Sequence, residues 1–232
     1  MQTKKIVLLI VEGPSDENAL GPILRKIINN KNVRFKVTET DLTSIPDSIG
    51  VHNIESVLAK RVRSFLGNTF RVSDLKEIIH IIDTDGAFID DSSVIEKDNG
   101  KIKYNDTTIE TAHKTKTEIR NHNKAAILNH LSTIDKLEII SKKDVPYQIY
   151  FMSCNLDHVL HDNRNLASNK KIDKANEFSD SYFGKEKDFI DFMLTQEILV
   201  PGDYHKSWQE IQKENKSLLR GSNFAVYLTK YK

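Results

Sequence analysis

The chain has 232 residues with 34 Lys and Arg against 33 Asp and Glu, a formal net charge of +1, so any affinity for a polyanion must come from local clustering and not from an overall field. A composition of 38% hydrophobic and 29% charged residues suits a chain that buries a core, and it excludes disordered and collagen-like classes. The single cysteine, Cys154, cannot form an intramolecular disulfide, the amino terminus lacks a signal-peptide pattern, and no apolar run nears the roughly 20 residues of a membrane span, so a cytoplasmic protein without a membrane segment is expected.

Residues 6–11 read I-V-L-L-I-V and stop at Glu12-Gly13-Pro14, the pattern of a strand buried on both faces of a parallel sheet. A helix should follow, capped by Ser15 or Asp16, because Ala19, Leu20, Ile23, Leu24, Ile27 and Ile28 recur at spacings of three and four. A second strand is expected over residues 33–37 and a second helix over 53–66, with Val57, Leu58, Val62, Phe65 and Leu66 as its apolar stripe. Residues 78–82 (I-I-H-I-I) are another buried strand and run directly into Asp83-Thr84-Asp85-Gly86.

The polar segment 87–112 reads as an insertion with a hairpin turning at Asp98-Asn99-Gly100. A long helix over 115–131 with apolar Ile119, Ile127, Leu128 and Leu131 comes next, then a strand over 149–152 and a helix beginning near Leu156. Alternation of this kind predicts an α/β domain with a mostly parallel sheet over residues 1–162. Residues 163–232 read as a mainly helical extension packed on it and ending in a strand-like run at 224–228.

Ligands of open α/β sheets gather beyond the carboxyl ends of the strands, which is where Glu12, Asp83 and Asp85 fall, with Asp16 on the first turn of the following helix. Crowded carboxylates repel by about 4 kcal/mol per close pair at an effective dielectric near 20, so a counter-charge is required. Oxygen ligands without Cys or paired His point to Mg²⁺ or Mn²⁺ and away from zinc. Asp16 reads equally well as a helix cap. Asp90 and Asp91 read as solvated loop acids, His80 as a hydrogen-bonded core residue, and His158 as either packing or site.

The stretch V-E-G-P-S-D-E-N-A-L (11–20), followed by I-I-D-T-D-G (81–86), resembles the TOPRIM domain, whose pattern is a strand ending in V-E-G, an acid and an A-L pair in the next helix, and a distant strand ending in D-x-D. The resemblance implies a TOPRIM-like α/β fold in which Glu12, Asp83 and Asp85 form the acidic triad. A third stretch, Y-F-M-S-C-N-L-D-H-V-L-H (150–161), resembles a segment of TOPRIM nucleases of the overcoming-lysogenisation-defect and abortive-infection type. It implies Asp157 as a further acid near the metals, where relatives often carry Glu, although Asn155 or Asp157 at a helix start also fits capping.

The activity implied is a Mg²⁺- or Mn²⁺-dependent nuclease acting on DNA or RNA in defence against phage, with a homodimer as the expected assembly. No P-loop is present, so any ATPase partner is a separate chain. Lys116, Arg120 and Lys124 recur every four residues and are the candidate track for a phosphate backbone, or else a solvated helix face. Arg61 and Arg63 are a second candidate. Trp208, Tyr204 and Tyr227 are available to stack on bases, although such residues usually pack. Rival readings are a haloacid-dehalogenase phosphatase or a glycosyltransferase built on Asp83-x-Asp85, and a non-catalytic TOPRIM binding module. The two rival enzymes leave Val11-Glu12-Gly13 unexplained, and intact acids argue against the binding module.

Overall fold

The first apolar run becomes β1 (Ile6–Val11), with all six residues buried. Its successor, α1 (Pro14–Ile27), starts on an extended Gly13 with Pro14 in the first turn, and Asp16 closes the turn by accepting the Gly13 N–H at 2.9 Å. The cap position itself belongs to Gly13, where Ser15 or Asp16 was expected. The computed structural model describes residues 6–28, 33–37, 42–44, 48–98 and 100–232.

In chain order there follow β2 (Val33–Val37), α2 (Ile54–Leu66) and β3 (Leu75–Asp83), then β4 (Val94–Glu96), β5 (Lys103–Tyr104) and β6 (Ile109–Thr111) in the insertion. Next are α3 (Lys114–Leu131), β7 (Lys136–Ile140), β8 (Lys143–Met152) and α4 (Leu156–His161). The carboxy-terminal part holds α5 (Lys171–Tyr182), α6 (Glu186–Met193), α7 (Tyr204–Ile211) and α8 (Phe224–Leu228). The main sheet has the order β2-β1-β3-β8-β7, parallel except for β7, which runs antiparallel to β8.

Helices cover both faces, and the two-residue period of a strand explains how. Val7, Leu9 and Val11 face a core shared with α1, α4, α5, α6 and α8, while Ile6, Leu8 and Ile10 face one shared with α2, α3 and α7. Each such side chain contributes about 1.5–3 kcal/mol on full burial. Among the described residues no helix is long and apolar enough to cross a membrane.

Two local expectations are corrected, and one element is new. The insertion does contain a hairpin, but it joins β5 to β6 around a turn in which the Asn105 N–H donates to the Thr108 carbonyl at 2.9 Å, and β4 pairs with β6 in parallel. The expected Asp98-Asn99-Gly100 turn therefore joins no paired strands, and Asn99 lies outside the described residues. The run at 224–228 is the helix α8 and not a strand: Phe224, Ala225, Tyr227 and Leu228 point inward with Val226 only half-buried, a helical spacing that a five-residue apolar run cannot announce. The β7–β8 hairpin was not anticipated, although K-L-E-I-I alternates between buried and exposed, and its turn places Lys142 at φ 62°.

Candidate active site

Strands β1 and β3 are parallel neighbours, so their carboxyl ends lie side by side. Glu12 and Asp83 meet there, the Asp83 N–H donating to Glu12 Oε1 at 3.2 Å. Asp83 also accepts the Leu156 N–H at the start of α4 on Oδ1 at 2.9 Å. Burial, then the carboxylates of Asp85 and Asp16, hold the Asp83 pKa well above the usual carboxylate range. Burial also raises Asp16, offset in part by the hydrogen bonds it accepts from the Gly13 N–H and the Ser15 hydroxyl. The Asp16 carboxylate thus braces the first turn while standing close enough to Asp83 to perturb it.

Asp85 occupies the left-handed region at φ 49°, a conformation Asp tolerates better than most residues, and its N–H donates to the Cys154 carbonyl at 2.8 Å. Gly86 follows at φ 71°, and a β-carbon there would come within 2.8 Å of both Ile109 Cδ1 and Leu218 Cδ2. Only glycine fits that turn. Asp85 Oδ2 pairs with Lys124 Nζ at 2.6 Å, and the same ammonium lies 3.9 Å from Glu12 Oε1. Asp85 Oδ1 accepts the Tyr104 hydroxyl at 3.1 Å.

Lys124 has no solvent exposure, whereas Lys116 is exposed and Arg120 half-buried. The expected phosphate track on α3 is therefore not one face. A four-residue step overshoots the helical turn by about 40°, so two such steps carry the stripe from solvent into the protein. Arg120 uses its guanidinium on the Asp85 carbonyl at 3.1 Å and on the Tyr104 hydroxyl at 3.3 Å. The inward face of α3 is Thr117, Asn121, Lys124, Leu128 and Leu131, polar where it passes the acids and apolar beyond them. Ile119, expected on the apolar stripe, is instead among the exposed large hydrophobics.

Asn155 and Asp157 divide the two roles that either was suited to fill. The Asn155 side chain caps α4 by accepting the His158 N–H at 2.9 Å, and Asp157, 8% exposed, pairs with Lys171 Nζ at 2.6 Å. The Lys171 charge and that of Asp157 both reach Asp16, so α5 supplies a second ammonium to the acidic cluster.

Of the remaining candidates, Asp90 is exposed, and exposed Asp91 pairs with His122 at 2.9 Å. His80 is a buried core residue bonded to the Tyr147 hydroxyl at 2.8 Å. Burial, with the nearby Arg164 charge, pushes His158 down to about 4, so the imidazole is neutral near pH 7. Trp208 and Tyr227 are buried packing residues.

Behind the acids, Thr84 Oγ1 donates to the Ser217 carbonyl at 2.8 Å and accepts the Cys154 N–H at 2.8 Å, tying the Asp83–Asp85 loop to the carboxy-terminal segment. Tyr104 carries no local signal in the sequence, and Lys171 reads there, with Lys170 and Lys174, as a surface cluster, whereas it pairs with Asp157. For Lys124 a signal exists: Thr117, Asn121 and Lys124 extend the Leu128–Leu131 spacing backward by alternate steps of four and three.

Among the described residues no three His, Cys, Asp or Glu side chains converge on one metal position. The donor set nevertheless fits a hard divalent cation in chemistry and charge. Five carboxylates, Glu12, Asp16, Asp83, Asp85 and Asp157, share the ammonium groups of Lys124 and Lys171, and all their donor atoms are oxygen. No family model, curated protein or solved structure matches the chain.

Proposed function

We propose that this chain is a divalent-cation-dependent phosphodiesterase acting on nucleic acid, built on a TOPRIM-like domain. The observation that carries the reading is that Glu12, Asp83 and Asp85 lie at the carboxyl edge of two adjacent parallel strands, with the buried Lys124 ammonium at 2.6 Å from Asp85 and 3.9 Å from Glu12.

Glu12, Asp83 and Asp85 would hold the cation, with Asp16 and Asp157 bordering it. A Mg²⁺ or Mn²⁺ ion held by these residues would supply Lewis-acid polarisation of the scissile phosphate and of the leaving oxygen. Lys124 keeps the carboxylates from repelling one another, and, having no solvent exposure, it acts on a bound phosphate through its field and not by contact. Arg120 and Tyr104 hold Asp85 from its carbonyl and carboxylate ends, so the acid is oriented before substrate arrives. Glu12, 3.9 Å from the Lys124 ammonium, would serve either as a cation ligand or instead as the general base on an attacking water. A separate ATPase chain, a homodimeric assembly and a role in phage defence belong to the same reading.

The test is a panel of labelled single- and double-stranded DNAs and RNAs, transfer RNA included, incubated with Mg²⁺, Mn²⁺ or EDTA. Cleavage supported by either cation, abolished by EDTA and lost in folded Asp83→Ala is the expected result. Binding without cleavage under every condition would turn the reading toward a non-catalytic module.

A further inference from the structure

The end of the sheet remote from the acids carries an open groove of about 990 Å³ between the end of α2, the start of β3 and the β7–β8 turn. Strand β3 links the two places, since it begins in the groove at Leu75 and delivers Asp83 to the acids, about 26 Å away at the usual rise per residue. Five cations line the groove, Arg63, Arg71, Lys76, Lys142 and Lys143, all of them exposed, against the single carboxylate Asp144. In a chain of net charge +1 that is a strong local excess.

Little inside the protein uses this charge. Lys76 has Glu77 at 3.7 Å, and Arg63 donates one N–H to the Ile139 carbonyl at 2.7 Å. Among the described residues the side chains of Arg71, Lys142 and Lys143 form no ion pair, although the Arg71 and Lys142 backbone N–H groups donate to the Asp74 and Glu138 carboxylates at 2.7 Å. The groove wall also holds Phe70, half-buried and stacked on Phe65 with ring centroids 5.8 Å apart. Cations on separate elements beside an aromatic ring combine the two contacts that hold single-stranded nucleic acid, phosphate neutralisation and base stacking.

We propose that this groove is a second nucleic-acid site, which takes the sugar-phosphate backbone of a single strand at the pole opposite the acids. The proposal rests on the nuclease reading for its purpose and adds to it a remote anchor for the substrate. DNA and RNA share the phosphate chemistry, so both are probed.

The experiment measures fluorescence anisotropy of labelled 30-nucleotide oligo-dT and oligo-U with the full chain, in EDTA, between about 50 and 200 mM salt. It compares the wild type, Asp83→Ala, and the triple variant Arg71→Ser, Lys142→Ser, Lys143→Ser, whose side chains are exposed and form no ion pair among the described residues. Each lost phosphate contact flattens the logarithmic salt slope by about 0.7, so the triple variant should lose about two units. The wild type should then weaken roughly 16-fold more than the variant across that salt range. Asp83→Ala should keep the wild-type slope. An unchanged slope in the triple variant overturns the proposal, as does tighter binding of a polyglutamate peptide of equal charge, which would make the groove a protein contact. Groove binding with no cleavage would sink the nuclease reading and leave the groove standing, whereas intact cleavage with an unchanged slope would sink the groove alone.

Discussion

Replacing Lys124 with Met removes a buried ammonium while keeping most of its volume, and the structure sets the size of the effect. Lys124 Nζ lies 2.6 Å from Asp85 Oδ2 and 3.9 Å from Glu12 Oε1, with no solvent exposure. At an effective dielectric near 20 these contacts are worth about 6 and about 4 kcal/mol, against a cost of several kcal/mol for taking the ammonium out of water. Deletion leaves the carboxylates close to Asp83 and Asp16 with no compensation on that side. Stripping one partner from a buried pair costs about 3–5 kcal/mol. In a chain of this length that lowers the melting temperature by about 6–20 °C. Differential scanning fluorimetry of Lys124→Met, Asp85→Asn and the double variant measures it, and the double variant should recover at least half of the loss because neither charge is then stranded. A Lys124→Met melting temperature within about 2 °C of wild type, or a double variant no better than the worse single one, would refute the account of Lys124 as counter-ion to the acids.

Asp83→Ala should behave in the opposite way. Burial and the carboxylates of Asp85 and Asp16 already disfavour its charge, so its loss relieves the cluster. The expected result is a melting temperature unchanged or raised, with nucleolytic activity reduced more than tenfold; full activity in the folded variant would remove Asp83 from the site. Asn155→Ala should lose the α4 cap, about 1 kcal/mol, with catalysis intact, whereas Asp157→Ala should depress activity more than stability, because it frees Lys171 beside Asp16. Equal small kinetic effects in the two would assign Asp157 a packing role. For pH, hydrogen bonds from Lys213 and Lys216 lower Glu210 to about 2. A depressed carboxylate stabilises the fold above its ordinary value of 4.5 and loses that contribution as pH falls through about 2. Glu210→Gln should therefore melt below wild type at pH 6, with the gap closing toward pH 2; a gap that widens in acid would contradict the ion pairing.

What was legible in the sequence was whatever rests on short-range pattern. The runs at 6–11 and 78–82 read as buried strands because they are rich in β-branched residues and stop at Glu-Gly-Pro and Asp-Thr-Asp-Gly, and the acids at their carboxyl ends followed from sheet architecture. What escaped was set by tertiary convergence. Tyr104 reaches Asp85 because a two-residue strand of the insertion folds over the site, and Lys171 reaches Asp157 from a different helix. The Asp98-Asn99-Gly100 signal names a turn without naming which strands it joins, and the short run at 224–228 has no period long enough to separate helix from strand. Lys124 is a different case: a residue type read as solvated turned out to belong to the buried stripe, and the leucines on its own helix carried that register.

The bond from Thr84 to the Ser217 carbonyl has a temporal meaning. It is one of several ties between the carboxyl ends of β3 and β8 and residues made much later, among them the Ser153 N–H on the Gly221 carbonyl and the Phe151 N–H on Asn223 Oδ1. A ribosome adding about 5–20 residues per second emits Asn223 roughly 7–28 s after Asp83. Until then the acids have neither the backing of that segment nor Lys124 and Lys171 seated against a finished core. The order of the sequence thus leaves Glu12, Asp83 and Asp85 unbraced until residues 217–223 have been made.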